Sequence, residues 1–280
     1  MTADAALTQA CEDRDFADWH RGCPWCAVWV VRVDQAPLQA HWQQARALLG
    51  DALLPRYARQ PHITLAYRGL MAGAAAHAAA EFGAQQCLTD VQQLQQLRPQ
   101  PWTLSVHGAG SFSTVPYLDV PQGRAPLLAV HQALSPQPPY PGWHYAPHVT
   151  LGHYAHTQPL APLLHRLQQG VQAQPPLQCT VSALWLARYR TDDIAGPLYW
   201  EGCYDLRSQQ YVAQPGALLQ LPGAGEPCRA QRAAEGAGSS GQRQLHIDIA
   251  PRGVGVRAHL VRGLQQLLGL AALHARQLHL

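Results

Sequence analysis

The chain has 280 residues, 47% of them hydrophobic and 13% charged, which is enough apolar content for one large core or two small ones and excludes a disordered polymer. All 20 basic residues are arginine, so chemistry that needs an amine is excluded: a Walker A loop, a protein kinase, Schiff-base or pyridoxal catalysis, and nucleotidyl transfer through a lysine nucleophile. The net charge of +3 is uneven, with 12 arginines against 14 acids in residues 1 to 206 and 8 against 3 in residues 207 to 280. A near-neutral body suits a small nucleotide or a strand end better than non-specific tracking of long nucleic acid.

The first thirty residues lack a basic head with an apolar core, and no stretch runs eighteen apolar residues, so no membrane association is expected. Seven cysteines, an odd number, fit reduced thiols in a cytoplasm better than a disulfide framework.

In chain order, residues 1–25 form an N-terminal extension, and residues 27 to 34 are rich in β-branched and aromatic residues, which predicts a buried strand. Leu38, Trp42, Ala45, Leu48 and Leu49, at spacings of three and four, predict a helix over 38 to 49. A strand follows over 61 to 69, bounded by Pro61 and Gly69, and then a glutamine-rich helix over about 84 to 98. Strands are expected at 102 to 107 and 115 to 120, with residues 108 to 112 read as a turn. A helix at 125 to 134 leads through a proline-rich segment to a strand over 147 to 154. A helix at 160 to 169 and strands near 178 to 190 and 198 to 205 complete the body. The repeated strand and helix order predicts an α+β fold of two similar strand-helix lobes around a central cleft, spanning 26–206. From 207 to 280 the composition turns to Gly, Ala, Pro, Gln and Arg, read as a low-complexity basic tail with an amphipathic helix over 260 to 280.

The feature that carries chemistry is an internal echo: Pro-His-Ile-Thr-Leu at 61 to 65 and Pro-His-Val-Thr-Leu at 147 to 151. Strand alternation sets His62, Thr64 and Ala66 on one face, and His148, Thr150 and Gly152 on one face, with apolar residues behind. Two imidazoles near their usual value of about 6.5 supply one proton acceptor and one donor at neutral pH. The threonine hydroxyls share the face of the imidazoles as hydrogen-bond donors, and the residues next on that face, Ala66 and Gly152, are small. By the same parity Arg68 and Tyr154 lie roughly 13 Å beyond the threonines and are candidates for substrate contact, as is Arg188, which shares a strand face with Arg190.

The paired motif resembles the 2H phosphoesterase superfamily, named for two His-x-Thr/Ser-x motifs and including bacterial 2'-5' RNA ligases and 2',3'-cyclic phosphodiesterases. The resemblance covers roughly residues 26 to 206. It implies a bilobed fold with both motifs lining a shared cleft, and it assigns catalysis to His62, Thr64, His148 and Thr150. The implied partner is an RNA end or a small nucleotide with a cyclic phosphate, with no cofactor and no metal. The implied reaction is phosphodiester hydrolysis, or in reverse RNA end joining without ATP. Which histidine is base and which acid is open at this point.

Two other readings stand beside it: an RNA-end or nucleotide binding module without turnover, and a thiol redox protein acting through Cys23 and Cys26. The latter pair precedes a strand, whereas redox dithiols follow a strand and open a helix. His144, His148, His153 and His156 are close in sequence, but Pro147 interrupts the helix that a metal pair four apart needs.

Overall fold

A computed structural model describes residues 6–139 and 141–221. Its elements are α1 (Ala17–His20), β1 (Trp25–Arg32), α2 (Ala36–Leu49), β2 (His62–Met71), α3 (Ala84–Leu97), β3 (Trp102–Val106), β4 (Ala109–Ser111), β5 (Pro116–Asp119), α4 (Arg124–Leu134), β6 (His148–Thr150), α5 (Leu160–Gln172), β7 (Leu177–Val181), β8 (Ala183–Arg190), β9 (Tyr199–Asp205) and β10 (Gln210–Ala213). Eight strands form one sheet in the order β10-β9-β8-β1-β2-β6-β5-β4, and β3 and β7 form a separate pair. The mixed helix and antiparallel-sheet architecture is the α+β class expected from the sequence, and its large sheet runs continuously across β2 and β6.

The helices form because their apolar residues recur at helical spacing. Leu38, Trp42, Ala45 and Leu49 bury one face of α2, and Leu163, Leu167 and Val171 bury one face of α5. Gly170 lets these helices touch: a Cβ there would lie 2.3 Å from Leu48. On α3, Gln86 reaches back to the Gly83 amide at 3.1 Å and satisfies an N-terminal donor that the helix leaves unbonded.

These helices cover one face of the sheet through a core that includes Trp29, Val31, Ile63, Leu65, Leu118 and Val149. A second core on the opposite face holds Cys26, Val28, Val30, Leu70, Trp185 and Tyr189, with Trp19 packed over it. The two faces of β1 therefore belong to different cores, odd positions to the helical side and even positions to the other.

Three boundaries differ from the sequence expectation. Residues 109–111 are a strand and not a turn, because they pair with β5 as Ala109↔Leu118, Gly110↔Tyr117 and Ser111↔Pro116. The strand expected over 147 to 154 ends at Thr150. The sheet also continues past residue 206: β10 pairs with β9, Tyr211 is buried, and Glu201 accepts hydrogen bonds from the Leu218 and Leu219 amides at 2.9 and 3.0 Å. The N-terminal segment is likewise tied to the body, through Thr8 to the His156 carbonyl at 2.7 Å and the Cys11 amide to the Tyr154 carbonyl at 2.8 Å. The helix expected over 260 to 280 lies outside the described residues. Among the described residues no helix is long and apolar enough to cross a membrane.

Candidate active site

The two motifs meet in adjacent antiparallel strands, where Ile63 is the partner of Val149. Antiparallel register then sets His62 opposite Thr150 and Thr64 opposite His148, on the face away from the helical core that holds Ile63 and Val149. The histidines stand on a diagonal of this pair, with Cα atoms roughly 7–8 Å apart by ordinary sheet geometry. The four motif residues expected to act together are thus brought together by the fold.

Each imidazole is oriented in the same way. His62 Nδ1 donates to the Gln60 carbonyl at 2.7 Å, and His148 Nδ1 donates to the Ala146 carbonyl at 2.7 Å. The carbonyl two residues back fixes both ring orientation and tautomer, which leaves Nε2 as the basic nitrogen for chemistry. The Gln60 side chain is itself clamped, donating to the Leu198 carbonyl at 3.2 Å and accepting from the Leu198 amide at 2.9 Å. Burial pushes His62 down to about 4, with Arg59 and His148 adding in the same direction against the Gln60 carbonyl. Burial also lowers His148, but there the Ala146 carbonyl and Asp119 both act to hold the proton.

The threonines are half-buried, and their carbonyls are engaged behind the face: Thr64 accepts from the Tyr145 hydroxyl at 2.8 Å and Thr150 from Trp42 Nε1 at 2.9 Å. Before β6 begins, His131 Nδ1 bonds the Leu65 carbonyl at 2.7 Å, so a side chain satisfies the β2 edge beyond Thr64.

Beyond the motifs the parity fails. Leu65 and Arg68 are extra residues in β2, skipped as β1 passes from Val30↔Thr64 to Trp29↔Ala66 and from Val28↔Tyr67 to Ala27↔Gly69. These bulges turn Ala66 into the helical core and put Tyr67 on the histidine face. Arg68 points to the helical side, bonding Asp90 at 2.8 Å and the Leu134 carbonyl at 2.9 Å. Gly152 does not open space for a phosphate, since a Cβ there would lie 3.1 Å from Arg46 Nη1. Tyr154 is buried in the helical core with its hydroxyl 2.8 Å from Ser111 Oγ. Arg188 is the strand partner of Ala27, on the helical side, and is paired with the buried Glu201. Arg68, Tyr154 and Arg188 are therefore not brought to the histidines.

Other residues occupy that ground. Tyr117 is the strand partner of Thr150, and its ring centroid lies 5.2 Å from that of His148, with Phe112 at 5.0 Å on the same imidazole. Asp119 is the strand partner of His148, and Arg32 is the strand partner of His62. Arg32 bonds Asp34 at 2.6 Å and lies 4.7 and 4.5 Å from the centroids of Trp185 and Trp200. None of these carries a signal in one dimension, because Tyr117, Asp119 and Arg32 reach the site through strand pairing and Phe112 through the turn that joins β4 to β5.

Cys23 and Cys26 are both buried free thiols whose burial raises them, Cys26 to about 12, the reverse of an activated redox thiolate. Among the described residues no three His, Cys, Asp or Glu side chains are grouped to hold a metal ion.

A family model for the 2'-5' RNA ligase superfamily matches residues 34–193, a span that includes both motifs. Similar solved structures include one described as a phosphoesterase, 17% identical, with 59% of this chain and 88% of that chain covered and a TM-score of 0.38. Another is E. coli LigT complexed with 3'-AMP, 16% identical, with 63% and 94% covered and a TM-score of 0.40. No curated protein matches the chain. With a match over more than half its length, the chain belongs to the 2'-5' RNA ligase superfamily.

Proposed function

We propose that this chain is a metal-independent phosphodiesterase acting on a ribonucleotide 2',3'-cyclic phosphate or 2'-5' linkage, and in the reverse sense joining RNA ends without ATP. The observation that carries the reading is the in-register meeting of two His-x-Thr strands, with each Nδ1 held by a backbone carbonyl. In-line hydrolysis needs one group to take a proton from the attacking water and another to protonate the leaving ribose oxygen, and two Nε2 atoms on one face meet that need. Thr64 and Thr150 donate to the non-bridging oxygens, where charge builds in the transition state. The half-buried rings of Phe112 and Tyr117 beside His148 offer an apolar surface for a nucleoside.

The test is release of a phosphomonoester from 2',3'-cyclic mononucleotides and from 2'-5' dinucleotides by purified protein in excess chelator. Turnover under those conditions is expected. Activity that disappears with metal removal, or saturable binding with no turnover on any of these substrates, would overturn the proposal, the latter in favour of a binding module.

A further inference from the structure

Building on the two-histidine reading, we propose that fixed charges in the fold divide the duplicated motif into two unequal halves: Arg59 holds His62 as the proton acceptor, and Asp119 holds His148 as the proton donor. The motifs themselves are near copies, so the division must come from their surroundings.

Both histidines sit in narrow strand pairs with their outer neighbours. The Val33 amide bonds the Pro61 carbonyl at 3.2 Å, which makes Arg32 and His62 a pair without mutual hydrogen bonds. The Leu151 amide bonds the Pro116 carbonyl at 3.0 Å, which does the same for Asp119 and His148. In such pairs the side chains approach most closely, with Cα atoms about 4.5 Å apart. Equivalent positions thus carry a cation on one side and an anion on the other.

The cation at Arg32 is largely offset by Asp34, at 17% and 18% side-chain exposure, which leaves Arg59, buried in the loop three residues before His62, as the uncompensated charge on that side. Arg59 is 7% exposed, donates to the Ile194 carbonyl at 2.7 Å and lies 4.0 Å from the Tyr189 ring centroid. It is held there by a carbonyl and a ring, and neither cancels its charge. The position three before His148 is Tyr145, which is uncharged and bonds Thr64.

Facing His148 are Asp119 and Tyr117 from β5, Thr64 and His62 from β2, and Phe112. Asp119 is its one anionic neighbour among these, and Arg124, 40% exposed, approaches that carboxylate to 3.5 Å, which reduces but does not remove its effect. Around His62 are Arg32, Arg59, Thr150 and His148, and among the described residues no carboxylate is nearby except the Asp34 already bound to Arg32. One proton shared between the two imidazoles therefore resides on His148.

The reaction then runs in one direction. His62 Nε2 takes the proton of the attacking water as its oxygen bonds to phosphorus, and the bond from phosphorus to the ribose oxygen breaks. That oxygen leaves with the proton of His148 Nε2. Solvent returns the two imidazoles to their starting states. Arg59 and Asp119 touch no reacting atom and are positioning residues.

The deciding experiment compares a nucleoside 4-nitrophenyl phosphodiester, whose leaving group needs little protonation, with the corresponding dinucleotide. His148→Ala is expected to lose at least tenfold less turnover on the activated ester than on the dinucleotide, and His62→Ala to lose equally on both. A reversed pattern, or equal losses for both variants on both substrates, overturns the assignment while leaving two-histidine catalysis intact. Wild-type protein inert toward both substrates would overturn the functional reading and the assignment with it. A second readout does not use turnover: imidazole NMR titration of the free protein should show His148 binding its proton at higher pH than His62. Asp119→Asn should lower only the His148 midpoint, and Asp119→Glu should restore it. An unchanged His148 midpoint in Asp119→Asn would remove Asp119 from the assignment.

Discussion

Around His62 the neighbouring strand supplies Arg32 and the preceding loop supplies Arg59, whereas around His148 the same two positions are filled by Asp119 and Tyr145. The motif residues and their tethers repeat from one half to the other, down to the carbonyl two residues back at 2.7 Å. What differs is the shell. A duplicated motif supplies two chemically equivalent groups, but moving a proton in one direction requires inequivalent ones, so the strands flanking the motif decide the roles.

The sharpest way to break the comparison is to remove either imidazole. His62→Ala and His148→Ala are each expected to reduce turnover of a dinucleotide or cyclic mononucleotide by about 100-fold to 10,000-fold, the usual span for a positioned acid or base. Near-normal turnover in either folded variant would show that the two halves are not working together. Thr64→Val and Thr150→Val should cost less, on the order of 10-fold to 100-fold, at or below the range for a preorganised oxyanion donor. Both residues are only half-buried, so water can partly replace them. Equal losses in the two threonine variants would mean that the charge asymmetry does not extend to phosphate binding.

The pH dependence sharpens the same contrast. Burial and Arg59 put His62 at about 4, and burial lowers His148 from its ordinary 6.5. The kcat/KM profile, which reports the free enzyme, is therefore expected to be a bell with an acid limb near 4 and an alkaline limb below 6.5. A profile flat from pH 5 to 9 would contradict it. Stability follows from the same shift. An unfolded chain takes up a proton on residue 62 as pH falls below 6.5, while the folded chain resists until about 4. The folded state thus loses stability across that window, by up to about 3 kcal/mol for this one group. Urea unfolding at pH 7 and pH 4.5 should show a smaller acid loss in His62→Gln than in wild type, and an equal loss would show that His62 is not held neutral.

Much of this was readable from the residues. The echo of Pro-His-β-branched-Thr-Leu, the apolar alternation behind it, and the spacing of Leu38, Trp42 and Ala45 are local signals, and local signals survive folding. The parity argument stopped working at Leu65 because a bulge depends on the partner strand, and the apolar character of residues 65 to 67 hides which way each one turns. Arg68 looked available in sequence because Asp90, its partner, lies twenty-two positions away on α3. Asp119 was invisible for the same reason, since it meets His148 only once strands pair; Arg59 lies just three residues before His62, but its burial depends on the Ile194 carbonyl and the Tyr189 ring, far along the chain.

The smallest expected effect comes from the tail. Composition placed the end of the body at residue 206, but that position falls in the turn between β9 and β10, and the chain continues as a sheet strand whose Tyr211 is buried. Residues 218 and 219 then give their amides to Glu201, the buried partner of Arg188. Cutting at 209 would expose the edge of β9 and leave the Glu201 carboxylate without two of its donors, a loss that a buried charge tolerates poorly. Cutting after 221 removes none of these contacts and no residue of either motif half. The shorter truncation should therefore leave turnover of a cyclic mononucleotide within about twofold of wild type, while removal from 210 onward should lower the unfolding midpoint measurably. Residues 222 to 280 carry 7 arginines against 3 acids, so any contribution they make to substrate binding should act through phosphate charge. It would appear as salt-dependent affinity for long RNA, with the mononucleotide unaffected. Loss of mononucleotide turnover in a folded protein ending at 221 would mean that the two histidine halves alone are not the whole catalytic unit.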